Sequence, residues 1–292
     1  MEKGRIIQGR GGLYTVRDEA GQGFVLRAKN KFRRANITPL VGDNVDFTPG
    51  RGEEHGWIEE IHPRRSYCLR PPVANITQLV ITLAPEPVPD LLLVDKLLVF
   101  SFHQRIEPVL AVNKADLDPD MPGEIEQAYR GAGVKTLALS AQTGDGLEGL
   151  RRAMAGHITC FAGQSGVGKS TLIAALTGED LETGEISQRI RRGRQTTRHI
   201  SLIEKKGLQV LDTPGFSLLD LPEEMPPEDL RQDYPDFAHF AHQCRFAPCL
   251  HDREPGCAVD QAAREGKIDT GRLERYRQLL SQAQDNWRER YD

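Results

Sequence analysis

Apolar residues in the first 68 positions fall in short alternating runs. RIIQG, GLYTVR, GFVLRA, NVDFT and GWIEEIH are separated by glycine and polar turns. A period of two marks half-buried strands. Five such strands in so short a segment predict a small closed barrel, an OB-fold. An SH3-like barrel offers a similar strand count, which by itself does not separate the two. RPPVAN at 70–75 reads as a linker, because proline continues neither helix nor central strand.

From about residue 76 the pattern changes. ITQLVITLA, IEPVLAV, TLALS, HITCFAG and LQVLD are continuous apolar runs of strand length, each ending at a polar motif. DLLLVDKLLVFSFHQ at 90–104 has the broad apolar face of a helix. Strands alternating with helices predict an α/β domain with a parallel sheet covered on both faces. Ligands in such sheets sit beyond the carboxyl ends of the strands, where the polar motifs fall. After about residue 220 the chain turns acidic and proline-rich, then bears cysteine and histidine. It closes on a helical pattern, TGRLERYRQLLSQAQDNWRER.

Composition narrows this picture. The 292 residues are 38% hydrophobic and 27% charged, values of an ordinary globular protein. The most apolar stretch, 91–100, is broken by Asp95 and Lys96 and is shorter than the ~20 residues a bilayer span needs. MEKGRIIQGR lacks the apolar core of a signal peptide. A cytoplasmic protein with no membrane partner is the expectation, and its five cysteines are expected to be metal ligands or free thiols rather than disulfides. Net charge is −4, but RAKNKFRR at 27–34 and RIRRGRQTTR at 189–198 are basic runs. Each is either a solvated face or a polyanion contact.

GQSGVGKS at 163–170 fits the phosphate-binding loop pattern G-x-x-x-x-G-K-S, with a buried strand before it and TLIAALTG as a helix after it. Gly163, Gln164, Ser165, Gly166, Val167 and Gly168 would turn backbone N–H groups onto phosphate oxygens. Lys169 would supply charge to the β/γ-phosphates, while Ser170, followed by Thr171, would offer a hydroxyl to Mg²⁺. NKAD at 113–116 names the base. Asp116 can accept from the two N–H donors of guanine that adenine lacks there, Asn113 can reach N7, and the Lys114 stem can cover the purine face. Ser140 and Ala141 open SAQTG, where the Ala141 amide can donate to guanine O6. In DTPG at 212–215, Asp212 would hold Mg²⁺ and the Gly215 amide would sense the γ-phosphate. Thr196 and Thr197 stand where a switch threonine closes over Mg²⁺, and Thr197 is the preferred one. The recognition tetrad precedes the phosphate loop, so the motif order is circularly permuted. The segment after DTPG then leads directly into the C-terminal region.

Cys244, Cys249, His251 and Cys257 supply three thiolates and one imidazole. That set closes a tetrahedral shell for one structural Zn²⁺ and leaves no position for a catalytic water. The surrounding segment is poor in apolar residues, so metal binding would supply much of its folding energy. Cys68 and Cys160 read as core residues, and His239 and His242 as surface residues.

Taken together, AKNKFR and VGD in the barrel, then NKAD, GQSGVGKS, GRQTT, DTPG and CRFAPCLHDREPGC, resemble the ribosome-small-subunit-dependent GTPase A family over nearly the whole chain. The resemblance implies GTP hydrolysis stimulated by the small ribosomal subunit, contact with its rRNA near the decoding region, and release of assembly factors late in maturation. Mg²⁺ with GTP or GDP, and a monomer, are expected besides. The chain departs from the family at Gln195, where the pattern has histidine. Phe216, after DTPG, cannot orient water as glutamine does in many GTPases. Gln195 has the right chemistry to do so. The other reading is that the ribosome supplies the group and Gln195 is an exposed loop residue. The expected organisation is an OB-fold RNA-binding domain at 1–70, a permuted GTPase domain at 71–221 and a zinc-binding α-helical domain at 222–292. A ribosome-binding scaffold whose affinity is merely set by nucleotide is the alternative. A GTPase acting on a protein or metal-delivery partner is a third reading.

Overall fold

The computed structural model describes residues 1–50, 54–69, 71–178, 200–212, 221 and 225–290. The chain forms two compact units. One comprises Met1–Leu79, Arg151–Phe161 and Ser170–Phe216, the other Val80–Leu150, Ala162–Lys169 and Ser217–Asp292.

The first unit begins with the five expected strands: β1 (Glu2–Arg10), β2 (Leu13–Asp18), β3 (Gly23–Ala28), β4 (Asn44–Thr48) and β5 (Gly56–Ile61). β1 pairs antiparallel with β2 and β2 with β3. β3 then pairs parallel with β5, β5 antiparallel with β4, and β4 returns to β1. The circuit 1-2-3-5-4-1, with one parallel step, is the OB-fold and removes the SH3-like alternative. Ile6, Val16, Leu26, Val45, Phe47 and Ile58 alternate inward and are fully buried. The basic run after β3 contains a short helix, α1 (Asn30–Arg34), held by buried Phe32 with Lys31, Arg33 and Arg34 left exposed. VGD has a structural role. Gly42 at φ 97° lies so close to Ala74 that a Cβ would sit 2.0 Å from its carbonyl oxygen. Buried Asp43 accepts from the Leu40 amide at 2.7 Å and pairs with Arg64 at 2.8 Å.

Within the expected linker at 70–75, residues Pro72–Ala74 instead form a strand. β6 (Tyr67–Leu69) and β7 (Pro72–Ala74) form a two-stranded sheet, and Val73, Ala74 and Asn75 are buried. Pro72 is tolerated because it opens its strand. Asn75 then ties the barrel down, donating to Gly42 O at 2.9 Å and accepting from the Arg65 amide at 2.9 Å.

The α/β elements follow the expected order. They are β8 (Gln78–Leu83), α2 (Leu91–His103), β9 (Glu107–Val112), α3 (Met121–Tyr129), β10 (Lys135–Ala138), α4 (Leu147–Met154), β11 (Ile158–Ala162) and α5 (Lys169–Thr177). β9 and β10 are parallel neighbours, as are β11 and β13 (Leu208–Asp212). One strand departs from the all-parallel expectation: β12 (Ser201–Lys205) is antiparallel to β13. Lys206 and Gly207 both have positive φ, 51° and 75°, the two-residue turn that reverses a strand tightly. β12 also meets β1, through Gln8 and Ser201.

The second unit ends in α6 (Pro235–Ala241), α7 (Ala258–Arg264) and α8 (Thr270–Glu289). Their apolar core was not anticipated from composition. Leu230, Tyr234, Phe237, Val259, Leu273, Tyr276 and Leu279 form one buried cluster that includes Val99 of α2. Among the described residues, no helix is long and apolar enough to cross a membrane.

Candidate functional site

The phosphate loop leaves β11 and ends on the first two residues of α5, Lys169 and Ser170. Its glycines are required by geometry. Gly163, at φ 132°, would place a Cβ 2.2 Å from Thr82 O, and Gly168, at φ 94°, would place one 2.4 Å from Asn113 Nδ2. Ser165 and Gly166 are exposed, and Val167 anchors the loop in the core. Lys169 folds back over the loop and donates to Gly163 O at 2.7 Å and Gln164 O at 2.6 Å. Burial pulls its pKa down to about 8. An arriving phosphate would replace the two carbonyl partners and favour the charged amine.

Three segments converge on this loop from the same unit. Asn113 is buried and used at both ends: Nδ2 donates to Val167 O at 2.9 Å, and Oδ1 accepts from the Ala141 amide at 3.0 Å. It therefore acts as a strut between the phosphate loop and SAQTG, besides any approach to N7. Lys114, at φ 58°, donates to Gly166 O at 3.0 Å and Glu86 O at 2.7 Å, so its stem crosses the loop. Asp116 is exposed. Ser140 is buried and its Oγ accepts from the Thr143 amide at 3.2 Å, shaping the turn that presents Ala141.

Gln164 does more than the loop pattern suggests. It accepts from the Asp90 amide at 2.8 Å and donates to Val88 O at 3.1 Å. Asp90 in turn caps α2 by accepting from the Leu93 amide at 3.0 Å. No sequence pattern marks this link, because the partners are 74 and 76 residues apart.

Of the residues assigned to magnesium, Ser170 is exposed in the first turn of α5, next to Thr171. Asp212 ends β13, one position beyond the Cys160–Leu211 pair with β11. Gln195, Thr196, Thr197, Gly215 and Phe216 lie outside the described residues.

Cys244, Cys249, His251 and Cys257 come together, with their ligand atoms all within 4.8 Å of one another. His251 Nδ1 is 3.7 Å from Cys244 Sγ and 3.4 Å from Cys257 Sγ. A tetrahedral zinc with ordinary Zn–S and Zn–N bonds sets such N···S edges at about 3.5 Å. Burial lowers the His251 pKa and keeps the ring neutral, the form that ligates. Backbone amides already face the sulfurs: Ala258 N donates to Cys244 Sγ at 3.4 Å and Asp260 N to Cys257 Sγ at 3.5 Å. The donor set and spacing thus fit one zinc ion, with His251 offering Nδ1. The ligand loop is pinned from outside: Tyr276 donates to Leu250 O at 2.7 Å, and Arg231 to Cys249 O at 3.0 Å. His239 and His242 are exposed and stand apart from the cluster, while Cys68 and Cys160 are buried in β6 and β11.

The same unit holds a buried charge network that composition did not reveal. Arg272 of α8 is buried and pairs with Asp95 of α2 at 2.5 Å and Asp236 of α6 at 2.6 Å. Arg275 binds the other Asp95 oxygen at 2.5 Å. Burial works against the Arg272 charge, but Asp95 and Asp236 outweigh it and raise its pKa. The Arg272 guanidinium also stacks over the Tyr129 and Tyr234 rings, 4.9 and 4.6 Å from their centroids.

A phosphate loop between buried strand and helix, with the guanine-recognition tetrad ahead of it in the chain, defines a circularly permuted P-loop GTPase. The family model described as RsgA GTPase matches residues 61–222, and that of the RsgA N-terminal domain matches residues 3–58. The chain belongs to the RsgA GTPase family and is a GTP hydrolase. It is 41% identical over 290 residues to the small ribosomal subunit biogenesis GTPase RsgA of Ruminiclostridium cellulolyticum, covering 98% of this chain and 95% of that one. To the same-named protein of Moorella thermoacetica it is 42% identical, covering 96% and 97%. Its fold is similar to the crystal structure of YjeQ from Thermotoga maritima, with a TM-score of 0.80, 32% identity and coverage of 97% and 98%. It is also similar to YloQ, a circularly permuted GTPase, with a TM-score of 0.79, 31% identity and coverage of 98% and 96%.

Proposed function

We propose that this chain is a cytoplasmic, monomeric GTPase of small-subunit assembly. It binds the small ribosomal subunit and its rRNA, hydrolyses GTP faster on the subunit, and couples hydrolysis to late maturation and the release of assembly factors. The observation that carries this reading is identity above 40% over nearly the full length to proteins named for small-subunit biogenesis. The three-part division at 1–70, 71–221 and 222–292 serves this reading: barrel for RNA, permuted domain for GTP, zinc domain as the rigid partner of the switch.

In the catalytic cycle Gly163 through Thr171 cradle the phosphates, with Lys169 neutralising the β/γ-oxygens. Asn113, Lys114, Asp116, Ser140 and Ala141 hold guanine. Ser170, Thr197 and Asp212 would hold Mg²⁺, which when bound would supply positive charge to the phosphoryl oxygens. Gly215 senses the γ-phosphate. Gln195 positions the attacking water when the arginine-rich run around it is bound to rRNA. The test is single-turnover GTP hydrolysis with and without saturating small subunits, on wild type and Gln195→Ala. Subunits should accelerate the wild type. The variant should retain GTP and subunit affinity and lose roughly 10- to 1000-fold in stimulated rate. Absence of stimulation would overturn the proposed function. A variant as fast as wild type would remove Gln195 alone. The scaffold reading predicts that a hydrolysis-dead, GTP-binding chain still leaves the subunit on schedule.

A further inference from the structure

The OB barrel carries a tryptophan where no core can use it. Trp57 lies on β5 between two buried neighbours, Gly56 and Ile58, and remains 44% exposed. β5 is flanked on both sides, so the backbone beneath Trp57 is fixed: Trp57 faces Arg27 on β3 and Thr48 on β4. Gly56 holds the strand close, since a Cβ there would lie 2.3 Å from Thr48 O. The strand registers extend a row across the outer face. Leu13 of β2 is opposite Arg27, and Val25, one step along β3 and 46% exposed, is opposite Thr15.

Cations lie on this row and on the helix that follows it. Arg27 is exposed, and Lys31, Arg33 and Arg34 are exposed on α1, which follows β3. Glu59, two positions beyond Trp57 on β5, is already paired with Lys29 and accepts from the Thr48 hydroxyl at 3.2 Å.

We propose that Trp57 and Arg27 form a stacking site for an unpaired nucleobase of RNA, with the α1 cations following the phosphates on either side. This rests on the reading of the chain as an rRNA-binding protein and names the element of RNA its barrel takes. One rigid ring beside one cation suits a single flipped or looped base, whose flat face is apolar and whose backbone is anionic. A protein partner would need a broader apolar centre than one aromatic flanked by Arg27 and Thr48.

The experiment uses full-length protein carrying Trp287→Phe, so that Trp57 is the single tryptophan. Probes are single-stranded oligo(U) of about ten nucleotides, within the ~4–16 an OB barrel spans, and a duplex RNA of equal phosphate number. The single strand should quench Trp57 fluorescence more than the duplex. Trp57→Ala should weaken single-strand binding roughly 5- to 150-fold without changing its salt slope, the loss expected for one stacked base. Trp57→Phe should keep most of the affinity. Arg33→Ala with Arg34→Ala should make the salt slope shallower. Trp57→Ala binding the single strand like its parent, or the duplex showing equal Trp57 dependence, overturns the stacking site. So does a loss confined to small subunits, which would mean a ribosomal protein meets this face. A parent that binds neither RNA nor subunits refutes the rRNA reading itself.

Discussion

The phosphate loop and the thiol cluster are both ligand sites, but they are built from opposite materials. The loop offers backbone. Its glycines are demanded by neighbours at 2.2 and 2.4 Å, Asn113 and Lys114 brace it from the side, and its own Gln164 ties it to Asp90. The cluster offers side chains alone, four of them on one short segment against an apolar core. A backbone site survives loss of a ligand-facing side chain and changes its preference. A side-chain site loses its ligand when one donor goes.

The sharpest division between them comes from removing the metal. Cys249→Ser, or chelation, should take zinc from one per chain to none, a loss on the order of 10 kcal/mol of binding free energy. Because Leu230, Phe237, Leu273 and Tyr276 form their own core, α8 should stay helical and new protease cleavage should fall within residues 242–257. Limited proteolysis with far-UV circular dichroism reads both. Collapse of the whole helical region would make the metal, not the apolar core, its organiser.

The next effect is on the buried charges. Arg272→Met leaves Asp236 without its cation and Asp95 with Arg275 alone, and should destabilise the second unit by about 3–5 kcal/mol. Adding Asp95→Asn and Asp236→Asn should return part of it. Urea unfolding of the two variants measures the difference. A single variant as stable as wild type would mean these charges contribute nothing to holding α8.

The smallest change tests the backbone site. Asp116 is exposed, so Asp116→Asn should leave stability unchanged and weaken GTP binding by on the order of 100-fold, the value of about two charge-assisted hydrogen bonds. Binding of xanthosine triphosphate should rise in exchange. Competition titration of the two nucleotides decides it. Unchanged GTP affinity would take the base contact away from Asp116.

This contrast also explains what could be read in advance. The barrel strands, the phosphate loop and the Cys244–Cys249–His251–Cys257 cluster are local patterns, with spacing and residue type set within a few positions. Asp95 read as an interruption of an apolar helix, because its partners Arg272 and Arg275 are 177 and 180 residues away. Gln164 read as a variable loop position for the same reason. RPPVAN read as a linker because proline weighed more than Val73, whose burial depends on a bridge to Val41. The antiparallel β12 was hidden in a polar strand, SLIEK, announced by the KKG turn alone.

The meeting of β1 with β12 has a consequence in time. The barrel closes on itself by residue 61, through contacts among its own strands. Arg17, however, waits for Glu204, 187 residues further along. At ribosomal synthesis rates of ~5–20 residues per second, that partner emerges roughly 10–40 s later. For that interval the barrel stands without β12, the strand that β1 meets through Gln8 and Ser201. The bulge between Ile6 and Gln8 breaks the regular ladder there. An irregular edge is a poor template for strands of other chains, so the newborn barrel is protected until its own β12 arrives.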